Sequence, residues 1–317
     1  PNAHDFYRPN IVYTGFSNNV DVDTVAFSLF DTAHLTEQWI LSGGFRVESV
    51  DSDFSFPSTV TPGTTFRGSR TDDLFSYRAA ITYKPVEEGS IYLGYGTSFN
   101  PISENFSLGD NPKRPNYYDV DPEENRTIEL GTKWELLNKN LLVSAALFRT
   151  DKTNARTVDP IDPTDVLSLN GKERVQGFEV GFTGLITEDW RVIGGYTYLD
   201  SEVRGTDNPL EKGNSLSNTP EHSFALWTVH DLPKGFQIGL GTQFVGSRYN
   251  SSNEASRQEA PSYAIFNALL GYQLNENVSF RLNGYNLTDK EYVDQVGGGH
   301  FVPGHGRSAV LTAEIKF

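Results

Sequence analysis

The 317-residue sequence contains no cysteine and no methionine. Without cysteine the chain has no disulfide framework, no thiolate site for zinc or an iron–sulfur cluster and no cysteine nucleophile. Hydrophobic residues make up 37% of the chain and are joined by 29 glycines, which is a globular composition. The sequence therefore does not predict a disordered protein.

Positive charge and long apolar runs are scarce as well. The chain has 26 Lys and Arg residues against 41 Asp and Glu residues, a net charge of −15, so we do not expect a nucleic acid as a partner. The longest apolar stretch, near residues 141–148, is far shorter than the roughly 18 apolar residues of a membrane-spanning helix. The chain starts at Pro1 without a methionine or a targeting signal, from which we expect an upstream region in the natural protein.

Two-residue alternation of apolar and polar side chains recurs along the chain. It is clearest in the last segment, where one face carries Ala309, Leu311, Ala313, Ile315 and Phe317. Residues 39–48 and 236–245 repeat the pattern. Alternation of this kind is typical of strands with one buried face, so we predict a nearly all-β protein.

The segments with this pattern number about thirteen. They lie near residues 22–31, 38–54, 73–86, 91–101, 124–137, 141–157, 168–186, 190–204, 219–231, 236–250, 262–274, 278–294 and 306–317. Short and long connectors alternate between them, which is typical of a transmembrane antiparallel up-and-down β-barrel of the outer-membrane type. Because such bacterial barrels normally have an even number of strands, we expect further strands upstream.

The placement of aromatic and charged residues favours a membrane barrel over a secreted sandwich or propeller. Trp39, Trp134, Trp190 and Phe236 lie close to short connectors, where an aromatic girdle is expected. The opposite strand face is predicted to form a charged lumen with Arg46, Glu48, Arg78, Lys84, Glu129, Lys133, Arg191 and Arg281. No repeat of about 40–50 residues indicates a propeller.

Signatures of catalysis are absent from the sequence. It contains no G-x-S-x-G, H-E-x-x-H or G-x-x-x-x-G-K-[ST] motif. His300 and His305 lie close together in a glycine-rich segment, but such a pair is more often part of an ordinary loop than a metal site. Residues 119–125 begin like a calcium loop but lack its glycine and its distant glutamate. We therefore predict neither an enzyme nor a metal-binding or cofactor-dependent protein.

The long connectors combine arginine with aromatic residues. Guanidinium groups and aromatic rings together suit a planar, anionic, aromatic ligand through charge-assisted hydrogen bonds and stacking. The candidate ligand-binding residues are Arg67, Arg114, Tyr117, Tyr118 and Arg248. For each of them, solvation or contact with anionic lipid headgroups is the alternative interpretation.

Three segments resemble a known family. They are P-E-x-x-R-x-x-E-x-G-x-K-W at residues 122–134, N-L-T-D-K-E-Y at residues 286–292 and the final strand ending in Phe317. With them, nearly the whole chain is similar to the C-terminal barrel of TonB-dependent ferric-siderophore receptors. The resemblance is greatest to the catecholate receptors of the Fiu and PiuA kind.

The resemblance implies a monomeric barrel of about 22 strands in the bacterial outer membrane, closed by an N-terminal plug. Residues 1–317 would then be the C-terminal portion of the barrel, with the plug and about nine strands preceding it. It also implies uptake of a ferric siderophore that binds at the loops, with energy supplied through the TonB–ExbB–ExbD complex. The siderophore carries the iron, so no resident cofactor is expected.

Two further partners follow from the same resemblance. Phe317 matches the terminal aromatic residue that is read by the barrel-assembly machinery. Lipopolysaccharide and outer-membrane lipid would surround the barrel. Two other functions stay open on the sequence: a passive porin or channel, which shares the strand pattern, and an outer-membrane hydrolase, which would need a Ser/His/Asp cluster at the lumen mouth.

Overall fold

The computed structural model describes residues 17–57, 63–101, 121–158, 166–297 and 300–317. Apart from a 3₁₀ turn at Pro233–Gly235, the regular structure in these ranges is β. The strands are β1 (Asn19–His34), β2 (Trp39–Pro57), β3 (Thr65–Val86), β4 (Gly89–Asn100), β5 (Glu123–Leu136), β6 (Leu141–Val158), β7 (Val166–Thr187), β8 (Trp190–Gly205), β9 (His222–Leu232), β10 (Phe236–Val245), β11 (Arg248–Tyr249), β12 (Glu259–Ala260), β13 (Tyr263–Gln273), β14 (Val278–Tyr285), β15 (Val293–Gly297), β16 (His300–Pro303) and β17 (Ser308–Ile315).

Thirteen of these strands form one antiparallel sheet in chain order, from β1 at one edge through β10, β13 and β14 to β17 at the other. Within the described residues the sheet stays open between its two edge strands. The pairs β11–β12 and β15–β16 are small hairpins outside it. The predicted all-β, antiparallel, up-and-down arrangement of thirteen strands is confirmed.

Some strand ends differ from the prediction. The strand expected over 236–250 ends at Val245, and the one expected over 278–294 ends at Tyr285. Each is followed by a loop that builds a hairpin of its own. Asn286 takes a positive φ of 46°, which turns the chain out of the sheet directly after Tyr285.

The two ends of the sheet differ in the length of the connections between strands. Short turns join strands at residues 35–38, 87–88, 137–140, 188–189, 233–235 and 274–277. Longer connections join them at residues 206–221, 246–262 and 286–307, and the connectors at 58–64, 101–122 and 159–165 lie wholly or largely outside the described residues. We call these the turn end and the loop end. The predicted alternation of short and long connectors is confirmed.

The strand register gathers apolar side chains on one face, which we call the outer face. One cross-strand row runs through Leu93, Leu130, Leu147, Phe178 and Tyr198 on β4 to β8. The leucines of this row expose 47–59% of their surface. A broad, exposed apolar face of this kind is what a membrane barrel presents to lipid.

Two aromatic belts border the apolar face. At the turn end, Trp39 lies 4.7 Å from Tyr83 and Phe236 lies 4.6 Å from Tyr272, measured between ring centroids. At the loop-end border, Tyr198 lies 5.7 Å from Phe178. We call these the lower and upper aromatic belts. Trp190, in the lower belt, is eight residues before Tyr198 on β8; a tilted strand of that length rises about 20 Å, close to the height of a membrane-facing band.

The opposite, inner face is polar and ion-paired. Arg46 contacts Glu48 at 2.6 Å, and Arg281 contacts Glu314 at 2.7 Å. Arg78, two residues from the position opposite Arg46 on β3, packs its guanidinium 4.5 Å from the ring of Phe30. These contacts agree with the predicted charged lumen.

Among the described residues, no helix has the length and apolar character needed to cross a membrane.

Candidate ligand-binding mouth

Three described loops at the loop end are bonded to one another. They span residues 206–221, 246–262 and 286–307, and we call them the loop wall. The backbone amide of Asn218 donates to the carbonyl of Tyr249 at 2.8 Å, and the side-chain amide of Asn214 donates to the carbonyl of Ser252 at 2.9 Å. The first two loops are therefore joined over several residues rather than at a single contact.

Arg248 connects the third loop to the other two. Its Nε donates to Oδ1 of Asn218 at 3.0 Å, and its Nη2 donates to the backbone carbonyls of Val293 at 2.9 Å and Asp294 at 2.6 Å. The residue exposes only 3% of its surface. Its Nη1 is buried without a hydrogen-bond partner within the described part of the chain. The hydrogen bonds of this guanidinium thus lie inside the loop wall.

Two tyrosine rings support this arginine. The Arg248 guanidinium carbon lies 5.7 Å from the ring centroid of Tyr263, a residue that is 4% exposed. The ring of Tyr263 in turn lies 4.3 Å from that of Tyr292. An arginine that packs against an aromatic ring and donates hydrogen bonds in a fixed fork has little freedom to move, so the three loops are held in one arrangement.

The base of the third loop is fixed by Asn286, which is 2% exposed. Its Nδ2 donates to the carbonyls of Lys290 and His305, each at 2.9 Å, and its Oδ1 accepts the amide of Lys290 at 2.9 Å. Its own amide donates to Oδ1 of Asn267 on β13 at 2.9 Å. The N-L-T-D-K-E-Y segment therefore closes the loop on itself and attaches it to the sheet.

The hairpin of β2 and β3 forms a second packed region at the loop end. Phe54, Phe56 and Phe66 stack with centroid distances of 5.2–6.2 Å, and Phe56 is 1% exposed. Nearby, Arg70 contacts the buried carboxylate of Asp72 at 2.6 Å. The buried core of the described residues thus lies largely at the loop end, next to the mouth.

Of the five predicted ligand-binding residues the structure describes two, Arg67 and Arg248, and these lie in different parts of the loop end. Arg248 is inside the loop wall, while Arg67 is the third residue of β3, exposed and on the outer face with Phe75 and Tyr77. Arg114, Tyr117 and Tyr118 lie outside the described residues. Phe317 is fully exposed at the chain end, where the preceding Lys316 donates its amide to the carbonyl of Asn277 at 2.9 Å.

Sequence reasoning missed the residues that build the loop wall, chiefly Asn218, Tyr263 and Asn286. The Asn286 segment was distinctive as a motif, but the hydrogen bonds of its side chain go to backbone carbonyls and an amide, which nearly every residue has. Among the described residues, no group of three or more His, Asp or Glu side chains is arranged to hold a metal ion.

The comparison with protein families agrees with this architecture. Residues 1–287 match the family model described as TonB dependent receptor-like, beta-barrel. The chain therefore belongs to the family of TonB-dependent receptor β-barrels, which are outer-membrane proteins. Membership confirms the predicted outer-membrane location and barrel class, and it agrees with the expectation of neither an enzyme nor a resident cofactor.

Individual relatives are siderophore receptors by name. The probable TonB-dependent siderophore receptor PiuA of Acinetobacter baumannii is 35% identical over 309 residues, which cover 93% of this chain and 41% of that protein. The catecholate siderophore receptor Fiu of Escherichia coli K12 is 34% identical over 349 residues, covering 99% of this chain and 45% of that protein.

The crystal structure of PiuA matches with a TM-score of 0.86 at 33% identity and covers 95% of this chain and 44% of that one. The chain thus spans less than half the length of the relatives that it matches.

Proposed function

We propose that the chain is part of an outer-membrane receptor that imports a ferric siderophore. The siderophore binds at the extracellular mouth of the receptor and is taken up with energy from TonB. The observation that carries this proposal is the likeness over more than nine-tenths of the chain to receptors named for siderophores. Because the Fiu relative is a catecholate receptor, we further propose a catecholate as the ligand class.

Residues 1–317 form, in this proposal, the C-terminal portion of the receptor. The plug and about nine strands precede it. These additional strands pair with the open edges of β1 and β17 and close the barrel. The TonB–ExbB–ExbD complex engages the preceding region. The protein acts as a monomer, Phe317 is read by the barrel-assembly machinery, and lipopolysaccharide surrounds the outer face.

Ligand contact is proposed for the long loops, with different tasks for the five candidate residues. Arg114, Tyr117 and Tyr118 would touch the ligand by charge-assisted hydrogen bonds and stacking. Arg248 acts indirectly, because its donors hold the loop wall in place. Arg67 contributes at the rim, since it is exposed beside loop 58–64.

The first test is iron-limited growth of a receptor-deficient strain that carries the full-length gene. A ferric catecholate or a ferric hydroxamate is the sole iron source, in cells with and without TonB. We expect growth on the catecholate only, and only with TonB. Growth that ignores TonB would indicate a passive pore, and growth on neither chelate would overturn the siderophore proposal.

The ligand-binding residues are tested in the same strain. Replacement of Arg114, Tyr117 and Tyr118 with alanine is expected to weaken ferric-catecholate binding by about tenfold or more, since several charge-assisted and stacking contacts are lost together. Unchanged binding in that triple variant would contradict their assignment. Arg281→Gln on the inner face, far from the loops, is the control.

A further inference from the structure

Four arginines lie on the outer face just above the upper aromatic belt. Arg126, Arg149, Arg174 and Arg204 stand on the four neighbouring strands β5 to β8, and we call them the arginine belt. The register sets Arg126 opposite Asp151 on β6, and Asp151 opposite Arg174 on β7. Because side chains alternate along a strand, these arginines share a face with Leu130, Leu147 and Phe178 and point away from the lumen.

The lower part of the belt lies at the height of a lipid headgroup layer, and the rest lies just above it. Arg149 is two residues above Leu147, and Arg174 is four residues above Phe178. With about 3.3 Å of rise per residue and the usual tilt, the two arginines lie about 5 and 10 Å above the row of Leu147 and Phe178. Headgroups occupy about 5–8 Å on each side of the hydrocarbon core.

The guanidinium groups keep unused donors. Arginine has five N–H donors. Arg149 and Arg174 each use only Nε within the described residues, to opposite oxygens of Asp151 at 2.8 and 2.7 Å. Within the same part of the chain, Arg204 uses only Nη1, which donates to Glu202 at 2.8 Å. The Arg149 and Arg204 side chains are 45% and 48% exposed, so their remaining donors face outward.

The belt also holds carboxylates, and these already have partners. Asp151 accepts from two arginines, Glu124 accepts from Arg126 at 2.8 and 3.0 Å, and Asp200 accepts from Gln176 at 2.9 Å. The carboxylates orient the guanidinium forks through one side and leave the other side open. A planar fork with open donors at headgroup height is suited to a phosphate oxygen pair.

We propose that the arginine belt binds the phosphate groups of lipopolysaccharide in the outer leaflet. The proposal rests on the outer-membrane placement proposed above and names the part of the barrel that meets this lipid. Phosphate replaces water at the open guanidinium donors, while the acyl chains cover the apolar face below. The belt is separate from the loop wall, so siderophore binding does not depend on it.

Native mass spectrometry of the full-length receptor tests the belt, with lipid A carrying two phosphates as the probe. We expect the double variant Arg149→Gln/Arg174→Gln to bind this lipid about tenfold more weakly, since two arginines near the surface are lost. Asp151→Asn, which frees both guanidiniums, is expected to bind the lipid as well as or better than the wild type. A purely structural ion-pair cluster would instead lose binding in both variants.

Arg281→Gln is the matched control, because Arg281 is paired with Glu314 in the same way but on the inner face. It should leave lipid binding unchanged. Lipid A without phosphates should bind weakly and equally to all variants. Wild-type lipid binding by the double variant, or equal binding of the phosphate-free lipid by the wild type, would overturn the proposal.

Folding is checked by the heat-dependent electrophoretic mobility of each variant. If the double variant does not fold, the single variant Arg149→Gln carries the same expectation at smaller size. Growth on the ferric catecholate separates the two proposals. A belt variant that loses lipid but still supports growth shows that the receptor function stands without the belt, and lipid binding without growth shows the reverse.

Discussion

At the scale of a single residue, Arg248 joins its own loop to two others through a side chain that solvent hardly reaches. The sequence predicted this arginine as a ligand-binding residue of a long loop, and that role stays a prediction. Its partners are an asparagine 30 residues earlier and two carbonyls about 45 residues later. Contacts over such sequence separations are not visible in a local sequence pattern, so the burial of this arginine could not be predicted.

Arg248→Ala should loosen the loop wall without unfolding the sheet. Three hydrogen bonds from a charged donor are lost, so amide exchange in residues 214–218 and 300–306 should speed up by about tenfold or more. The exchange rate in Arg248→Lys should lie between those of the wild type and Arg248→Ala, since an ammonium group keeps the charge but not the forked donor geometry. Hydrogen-exchange mass spectrometry of the full-length protein measures both.

The control is Arg257→Ala in the same loop, where the guanidinium lies 4.4 Å from the ring of Tyr249, a residue of its own loop. It should leave exchange in the other two loops near the wild-type rate. Equal exchange in Arg248→Ala and the wild type would show that the wall does not depend on this side chain.

At the scale of elements, alternation predicted the thirteen sheet strands because one face of each is apolar and the other polar over many residues. It failed where the chain leaves the sheet. Val245 and Tyr285 end strands at points set by loop contacts, such as those of Asn286, and the hairpins that follow are too short for a periodic signal. The candidate mouth, being made of loops, was accordingly the least predictable part.

Turn geometry gives a prediction with a matched pair of glycines. Gly235 and Gly213 have φ values of 79° and 84°, so alanine at either should cost about 1–2 kcal/mol of stability. At Gly235 the new Cβ would also lie 2.5 Å from the carbonyl oxygen of Gln273, whereas at Gly213 nothing lies within 4 Å.

Gly235→Ala should therefore be the more destabilising of the two, because the turn must also move away from β13. Urea unfolding of the full-length protein in lipid vesicles compares them. Equal losses would mean that the close approach at the turn end relaxes freely.

At the scale of the whole molecule, the two faces of the sheet define inside and outside. Leu240 is on the outer face of β10, 61% exposed, and four residues above the lower aromatic belt, near the middle of the apolar band. Leu240→Lys should cost about 2–4 kcal/mol in a bilayer, as charged residues do at mid-depth on a lipid face.

Gln243→Lys is the counterpart, on the inner face of the same strand. We expect it to cost little, because the lumen is polar. Vesicle-based unfolding titrations distinguish the two variants. If both substitutions were equally harmless, the apolar face would not be in contact with lipid.

The joined loop wall has a consequence for how such a protein can change over evolutionary time. Loops that are joined by a buried guanidinium and by further hydrogen bonds cannot change independently, because a new length or path in one must still present its carbonyl or amide to the same donors. Sequence changes at the mouth are therefore distributed unequally between the loop wall and the other connectors. We expect the wall to change as a block, and new ligand preferences to arise from side-chain substitutions on its surface or from connectors outside it.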